Sequence, residues 1–431
     1  MYSPFSKHSF KHQARHLWYQ YGILWSGAII VGLVAVMYAK LIDWGYDIFK
    51  LMLEIGIWFP LILTPSVAAL GTWITRRYFN GAEGSGIPQV VATLEAPGEH
   101  LGNRLLRPHI AIGKVLVSFL AILGGFTIGR EGPTVQVGAA IMYQLRRLYP
   151  HSNTALERQL TLSGAAAGLS AAFNTPLAGI MFAIEELLRS FSRRASTTIV
   201  TTIILAGVVS LSIDGDYTYF GNINTHDFSW LMVPAIVLTA IITGAAGGGF
   251  AWLALHAAHW MPAPMHRLRQ QYPVCFAALC GLLLAIIGII SHGSTYGSGY
   301  EQARSLLDNN TYQLPALYPF YKMATMVLSY LPGIPGGIFA PSLSIGAGFG
   351  SLVHDIFFSV PLPVLIAIAM VGYLSAATQA PITSFIIVTE MTDGHALIIA
   401  LMATALLATQ VSRWIAPPFY ATSALRYEKS T

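Results

Sequence analysis

The chain has 431 residues, of which 54% are hydrophobic and only 10% charged, with a mean hydropathy of +0.58. Soluble domains carry about 25% charged residues, so this chain cannot hide its apolar surface in one water-soluble core, and lipid must be its solvent. The net charge of +5 reads as membrane topology, with no nucleic-acid partner implied.

The first element is a basic tail, residues 1–20. Its Lys7, Lys11 and Arg15 place the N-terminus in the cytoplasm by the positive-inside rule. Windows free of Asp, Glu, Lys and Arg follow at 22–39, 55–75, 159–184, 195–213, 228–264, 272–300, 323–354, 356–389 and 396–412. A spanning helix needs about 20 apolar residues, so several windows hold one span and the longest has room for two. A closed β-barrel would show short alternating segments instead. The pattern predicts an all-α polytopic membrane protein.

The loops carry the topology. Arg189, Arg193 and Arg194 mark a second cytoplasmic loop, residues 214–227 hold three Asp and no Lys or Arg, and Arg267 and Arg269 return the chain inside. The polar stretch 292–320 goes out again, with one span between each of these loops and the next. The first apolar run is too long for a signal peptide and leads to Lys40 and a further span. Cys275 and Cys280 sit in an apolar run and read as two small buried hydrophobes. None of the 13 His has metal-ligand spacing with other ligand types, and the pairs His8/His12 and His12/His16 fall in the basic tail, where a solvated face is the default.

Two pieces of the chain resemble each other. PTVQVGAA at 133–140 matches PSLSIGAG at 341–348, and TPLAGIMFAIEE at 175–186 matches APITSFIIVTEM at 380–391. The gaps from Pro133 to Pro176 and from Pro341 to Pro381 are 43 and 40 residues, and Glu185 falls opposite Glu390. Matched order and spacing point to two homologous halves, with substrate bound where they meet near the midplane.

Three Gly/Pro breaks interrupt the apolar sequence. They are GSGIP (Gly84, Ser85, Gly86, Pro88), GREGP (Gly129, Arg130, Glu131, Gly132, Pro133) and GIPGGIFAP (Gly337, Ile338, Phe339, Pro341). Any one of them could be a kink in a long helix. Three, each with Gly before Pro and a helix-compatible run after, favour discontinuous helices that converge, with the proline starting the helix and Gly129 and Gly132 letting the backbone turn. Irregular backbone at membrane depth is tolerated only when buried in protein or lining a watery cavity. Helix N-termini there expose N–H groups and a positive dipole end, which together favour an anion.

These breaks resemble, in order, the signature segments of the CLC chloride channel and transporter family. AAGLSAAFNTPLAGIMFAIEE (166–186), QAPITSFIIVTEMTD (379–393) and PPFYATSAL (417–425) extend the resemblance over about residues 20–427. It implies the CLC fold: two inverted repeats of discontinuous helices, about 21–213 and about 228–427, in one transmembrane domain, 21–427. It further implies a homodimer with one pathway per subunit, chloride and protons as substrates, no cofactor, and a bacterial inner membrane. Both termini would be cytoplasmic, with no regulatory domain after the last helix.

The resemblance also assigns roles. Ser85 and Tyr420 would bind the central chloride through their hydroxyls, and the N–H groups of Ile338, Phe339 and Arg130–Gly132 would donate to bound chloride. Glu131 would be the gating glutamate and Glu186 the internal proton-transfer residue. Glutamate at both positions matches the exchanger branch, with a passive chloride channel of the same family as the alternative. A proline in place of Ser85 goes with nitrate preference in plant members, and the fluoride branch departs from GSGIP and GREGP; this chain shows neither change. Gln89 stands where many members have an acidic residue.

The residue types suit that chemistry. Chloride is large and weakly hydrated, and neutral donors hold it loosely enough for turnover. On residue type alone Ser85 also fits a helix cap, and Tyr420 an interfacial aromatic. An ionisable residue at membrane depth costs about 2.5–3.5 kcal/mol, so Glu131 needs a reason to be there. Adjacent Arg130 faces it poorly for an ion pair. Glu185 is a rival to Glu186. An intramembrane enzyme finds no support, because Gly84-Ser85-Gly86 is preceded by Glu83 rather than completing G-x-S-x-G, and no His is spaced as its base.

Overall fold

A computed structural model describes residues 18–428 apart from 97–98, 152, 189–196, 216–219, 222, 224–231 and 309–313. The basic tail, the loop arginines Arg189, Arg193 and Arg194, and most of the segment 214–227 lie outside the described residues.

The apolar windows are helical, and proline and glycine set their ends. In chain order the helices are α1 (Ile23–Leu53), α2 (Pro60–Tyr78), α3 (Ile87–Glu95), α4 (Glu99–Leu105), α5 (Pro108–Leu123), α6 (Glu131–Gln144), α7 (Thr154–Phe173), α8 (Pro176–Phe182), α9 (Thr197–Asp214) and α10 (Val233–Leu255). After two short helices, Ala257–Trp260 and Ala263–Gln271, come α11 (Pro273–Ile290), α12 (Tyr300–Leu307), α13 (Tyr318–Tyr330), α14 (Phe339–His354), α15 (Leu362–Thr378), α16 (Pro381–Thr392), α17 (Ile398–Arg413) and α18 (Phe419–Glu428). Helix α8 runs on into a π-helical turn, Ala183–Leu188. Among the described residues no β-strand forms; one isolated antiparallel bridge joins Gly129 to Gly337.

Four of these segments are long and apolar enough to cross a membrane: Ile23–Leu53, Val233–Leu255, Pro273–Ile290 and His395–Arg413. The longest charge-free window, 228–264, holds one long helix rather than two, while 159–184, 323–354 and 356–389 are the ones that split. In the first and last of these the split falls at a proline whose predecessor leaves the helical region: Thr175 has ψ 84° before Pro176, and Ala380 has ψ 76° before Pro381. Cys280 is buried but Cys275 is exposed, both as free thiols, because five helical positions separate their directions by well over a quarter turn.

The two halves repeat each other in detail. Helix α6 packs on α7 as α14 packs on α15. Helices α7 and α15 end at left-handed residues with the same φ of 60°, Asn174 and Gln379. Helices α3 and α12 both follow Gly-Ser-Gly and start from left-handed glycines, Gly86 at φ 99° and Gly299 at φ 85°. Helices α8 and α16 pack together, and the C-terminal glutamate of each run reaches the N-terminus of the other. Two helices can do this only if they lie antiparallel, as an inverted repeat requires.

Candidate functional site

The three Gly/Pro breaks meet. Gly84 N–H donates to Gly333 O at 3.3 Å, and Gly336 N–H returns a bond to Gly84 O at 3.0 Å. Gly129 and Gly337 exchange both bonds, at 2.8 and 2.7 Å. This backbone clasp brings the N-termini of α3, α6 and α14 to one buried place. The first-turn N–H groups of a helix have no carbonyl within that helix, so three sets of donors and three positive dipole ends converge.

Two sequence expectations change here. Helices α6 and α14 begin two residues before their prolines, at Glu131 and Phe339, so Pro133 and Pro341 are third residues rather than first. Every N–H of a first turn lacks a helical partner, so proline fits anywhere in it. Gly129 and Gly132 also do not serve a turn, since neither has positive φ. They permit close approach: a Cβ on Gly132 would meet Ser85 Oγ, and one on Gly337 would come within 2.9 Å of Gly132 N and 3.1 Å of Gly129 O.

Ser85 precedes α3 and Tyr420 sits in the first turn of α18; both are buried. Their hydroxyls approach each other, yet neither closes a hydrogen bond of good geometry with the protein. Two buried, unsatisfied hydroxyls facing one point are costly unless a ligand accepts from them. Phe339 stacks on Tyr420, with ring centroids 6.1 Å apart and planes 15° from parallel, and so fixes the direction of the phenol.

Glu131 is 1% exposed. Its carboxylate folds back over the start of its own helix, within hydrogen-bonding reach of its own N–H and of Ala340 N–H on α14. One carboxylate oxygen, Oε2, has no protein partner. The carboxylate thus sits at the junction of two helix N-termini. Arg130 does not pair with it. Its guanidinium turns away to Asp43 Oδ2 at 2.8 Å and Ala39 O at 3.2 Å, leaving the backbone of residues 130–132 at the site.

Glu186 lies buried in the π turn, near enough to Tyr420 for their charges to interact. Glu185, its neighbour, is committed elsewhere: it accepts from Ile382 N–H at 3.0 Å and Thr383 N–H at 2.6 Å. The π turn separates the roles of two adjacent carboxylates.

Sequence reasoning missed the supports behind Ser85. Lys114, fully buried on α5, donates through Nζ to Gly84 O at 2.8 Å. Gln89 Nε2 donates to Gly81 O at 3.2 Å and Glu83 O at 2.6 Å, and Gln136 Nε2 to Gly81 O at 3.0 Å. These donors engage the carbonyls of the 81–84 loop, which would otherwise compete with the N–H groups for the field at the site. Lys322 repeats the device in the second half, donating to Gly297 O at 2.8 Å. The signal was present: Lys114 and Lys322 are 208 positions apart, as are Pro133 and Pro341, and each follows a Gly-Ser-Gly.

Cavities approach from both sides. One of about 750 Å³ reaches Gly84, Tyr330 and Gly333 and is lined by Arg76, Arg269 and Arg426. Another of about 270 Å³ is lined by Asp43, Arg130 and Glu301. The protein between them holds Ser85, Tyr420 and Glu131.

Fold and site together define an integral membrane protein of the inverted-repeat class, whose broken helices bring their N-termini to one buried position. The Voltage gated chloride channel family model matches residues 67–413, and the chain belongs to that family. It is 31% identical over 432 residues to the H(+)/Cl(-) exchange transporter ClcA of Salmonella typhi, covering 94% of this chain and 88% of that one. Among solved structures it resembles a slow cyanobacterial Cl-/H+ antiporter at TM-score 0.78 and 22% identity, covering 95% and 97% of the two chains. A CLC-type fluoride/proton antiporter matches at TM-score 0.79 and 18% identity, covering 97% and 99%. The expected CLC fold is the fold observed.

Proposed function

We propose that the protein exchanges chloride for protons across a lipid bilayer. The observation that carries this reading is the Glu131 carboxylate, buried against the N–H groups of two helix starts. Ionised, it occupies an anion position. Protonated, it loses its hold on those donors and yields them to chloride, and a chloride ion beside it favours the proton because like charges disfavour ionisation. One carboxylate thereby couples the two ions.

Chloride rests between the Ser85 and Tyr420 hydroxyls, with N–H groups of Ile338 and Phe339 and of Arg130–Gly132 around the path. Glu186 supplies protons by a route separate from the arginine-lined cavity through which chloride enters. That cavity faces the cytoplasm by the positive-inside rule, and both chain ends are assigned to the same side. A bacterial inner membrane suits this, in keeping with the Salmonella relative. Subunits pair as a homodimer through the apolar segments 176–213 and 381–412, where Leu177, Ile399 and Leu406 are exposed. The repeats run about 21–213 and about 228–427.

Reconstituted liposomes test the reading. An outward chloride gradient should drive protons inward against their own gradient, and Glu186→Ala should cut proton flux far more than chloride flux. Chloride flux with no driven proton movement in the unaltered protein would identify a passive channel.

A further inference from the structure

Beside the arginine-lined cavity lies a second cleft of about 680 Å³ that the transport path does not use. Three segments build it. The end of α2 supplies Arg77, α4 supplies His100 and Arg104, and the entry to α5 supplies Arg107 and His109. Among the described residues no carboxylate lines it. The positive-inside rule accounts for arginines near helix ends. It does not account for their convergence on one concavity from three separate segments, at a volume typical of small-ligand sites.

We propose that this cleft binds a phosphate-bearing anion, with Arg77 and Arg107 as principal contacts. Guanidinium groups grip phosphate oxygens in pairs, and three arginines with two histidines suit several oxygens at once, where a single chloride would need none of them. The shared chemistry fits either a soluble polyphosphate or the headgroup of an anionic lipid. Arg104 and Asn80 line both the cleft and the transport cavity. Arg104 Nη2 also donates to Tyr427 O at 3.2 Å, on the helix that carries Tyr420. A polyanion touching Arg104 stands within a Debye length, about 8 Å at physiological salt, of the positive lining that draws chloride in. Its binding slows chloride entry from that face.

The test compares the full-length protein with the Arg77→Gln/Arg107→Gln double variant, since neither residue lies on the proposed transport path. Tripolyphosphate is titrated calorimetrically into detergent-solubilised protein. In parallel, retention of phosphatidylglycerol against phosphatidylcholine is read by native mass spectrometry. The proposal expects at least one probe to bind the unaltered protein about tenfold or more tightly than the variant, with equal melting temperatures in detergent as the control for folding. Loss of tripolyphosphate binding identifies a soluble ligand, and loss of phosphatidylglycerol retention alone identifies a lipid. Should the double variant fold poorly, the single variants Arg77→Gln and Arg107→Gln are read the same way. Equal binding of both probes by folded variant and unaltered protein, or no binding of either, overturns the proposal. Binding is measured without transport, so its failure leaves the exchange reading untouched.

Discussion

Glu185 and Glu390 each cap the helix run that ends in the other. Glu185 accepts from Ile382 and Thr383 N–H, at 3.0 and 2.6 Å, and Glu390 accepts from Leu177 and Ala178 N–H, at 3.1 and 2.8 Å. Every position in one set is 205 residues from its mate: 177 to 382, 178 to 383 and 185 to 390. The repeat is therefore preserved down to individual hydrogen bonds. A carboxylate on a helix N-terminus is favoured by both the bonds and the dipole. Replacing Glu390 by Ala should cost about 1–3 kcal/mol, read as a lower melting temperature in detergent, while the chloride-to-proton ratio stays unchanged. A changed ratio would show that Glu390 acts on the proton route and not on helix docking.

Ser85→Ala and Tyr420→Phe should separate binding from stability. Both hydroxyls are buried and neither closes a hydrogen bond of good geometry with the protein, so removing either strips no well-formed bond from another protein group, and the melting temperature should hold. A hydrogen bond to a charged ligand contributes about 1.5–3 kcal/mol, so chloride affinity by calorimetry should fall about tenfold or more for each. Unchanged affinity would move the anion away from these hydroxyls.

Gln89→Glu should be harmful. The amide donates to Gly81 O and Glu83 O, and a carboxylate would oppose two carbonyls with negative charge in a buried place. Thermal unfolding should show a loss of about 1–3 kcal/mol. A variant as stable as the parent would mean that the 81–84 loop is held sufficiently by Lys114 and Gln136.

Gly132→Ala and Gly337→Ala should both disrupt the clasp, because their added Cβ atoms meet backbone at 2.8 Å (Ser85 O) and 2.9 Å (Gly132 N) respectively. Overpacking of this kind costs about 1–3 kcal/mol and moves helix starts that must stay aligned. The expected readout is weaker chloride binding together with a lower melting temperature.

How far these features were legible in the sequence depended on the range of the interaction behind each. The all-α membrane class, the repeat and the three breaks rest on local composition and on Gly and Pro, and the structure has them all. Local rules favour proline at the first helical position, and only the backbone trace places Pro133 and Pro341 third. Glu185 could not be separated from Glu186, because its partners are 197 and 198 residues away. By local pattern the glycines of GREGP are turn formers. Their real constraint is the approach of Ser85 and Gly337, which no local pattern carries. Lys114 and Lys322 were visible as lone charges in apolar helices but were not compared across the repeat.

The central claim is that Glu131 is the group through which proton and chloride movement are linked. Chloride and proton fluxes measured together in liposomes, for the unaltered protein and for Glu131→Ala, test it most directly. The account predicts chloride-driven proton transport in the first, and chloride flux with no driven proton flux in the second. Proton transport that persists in Glu131→Ala would contradict it.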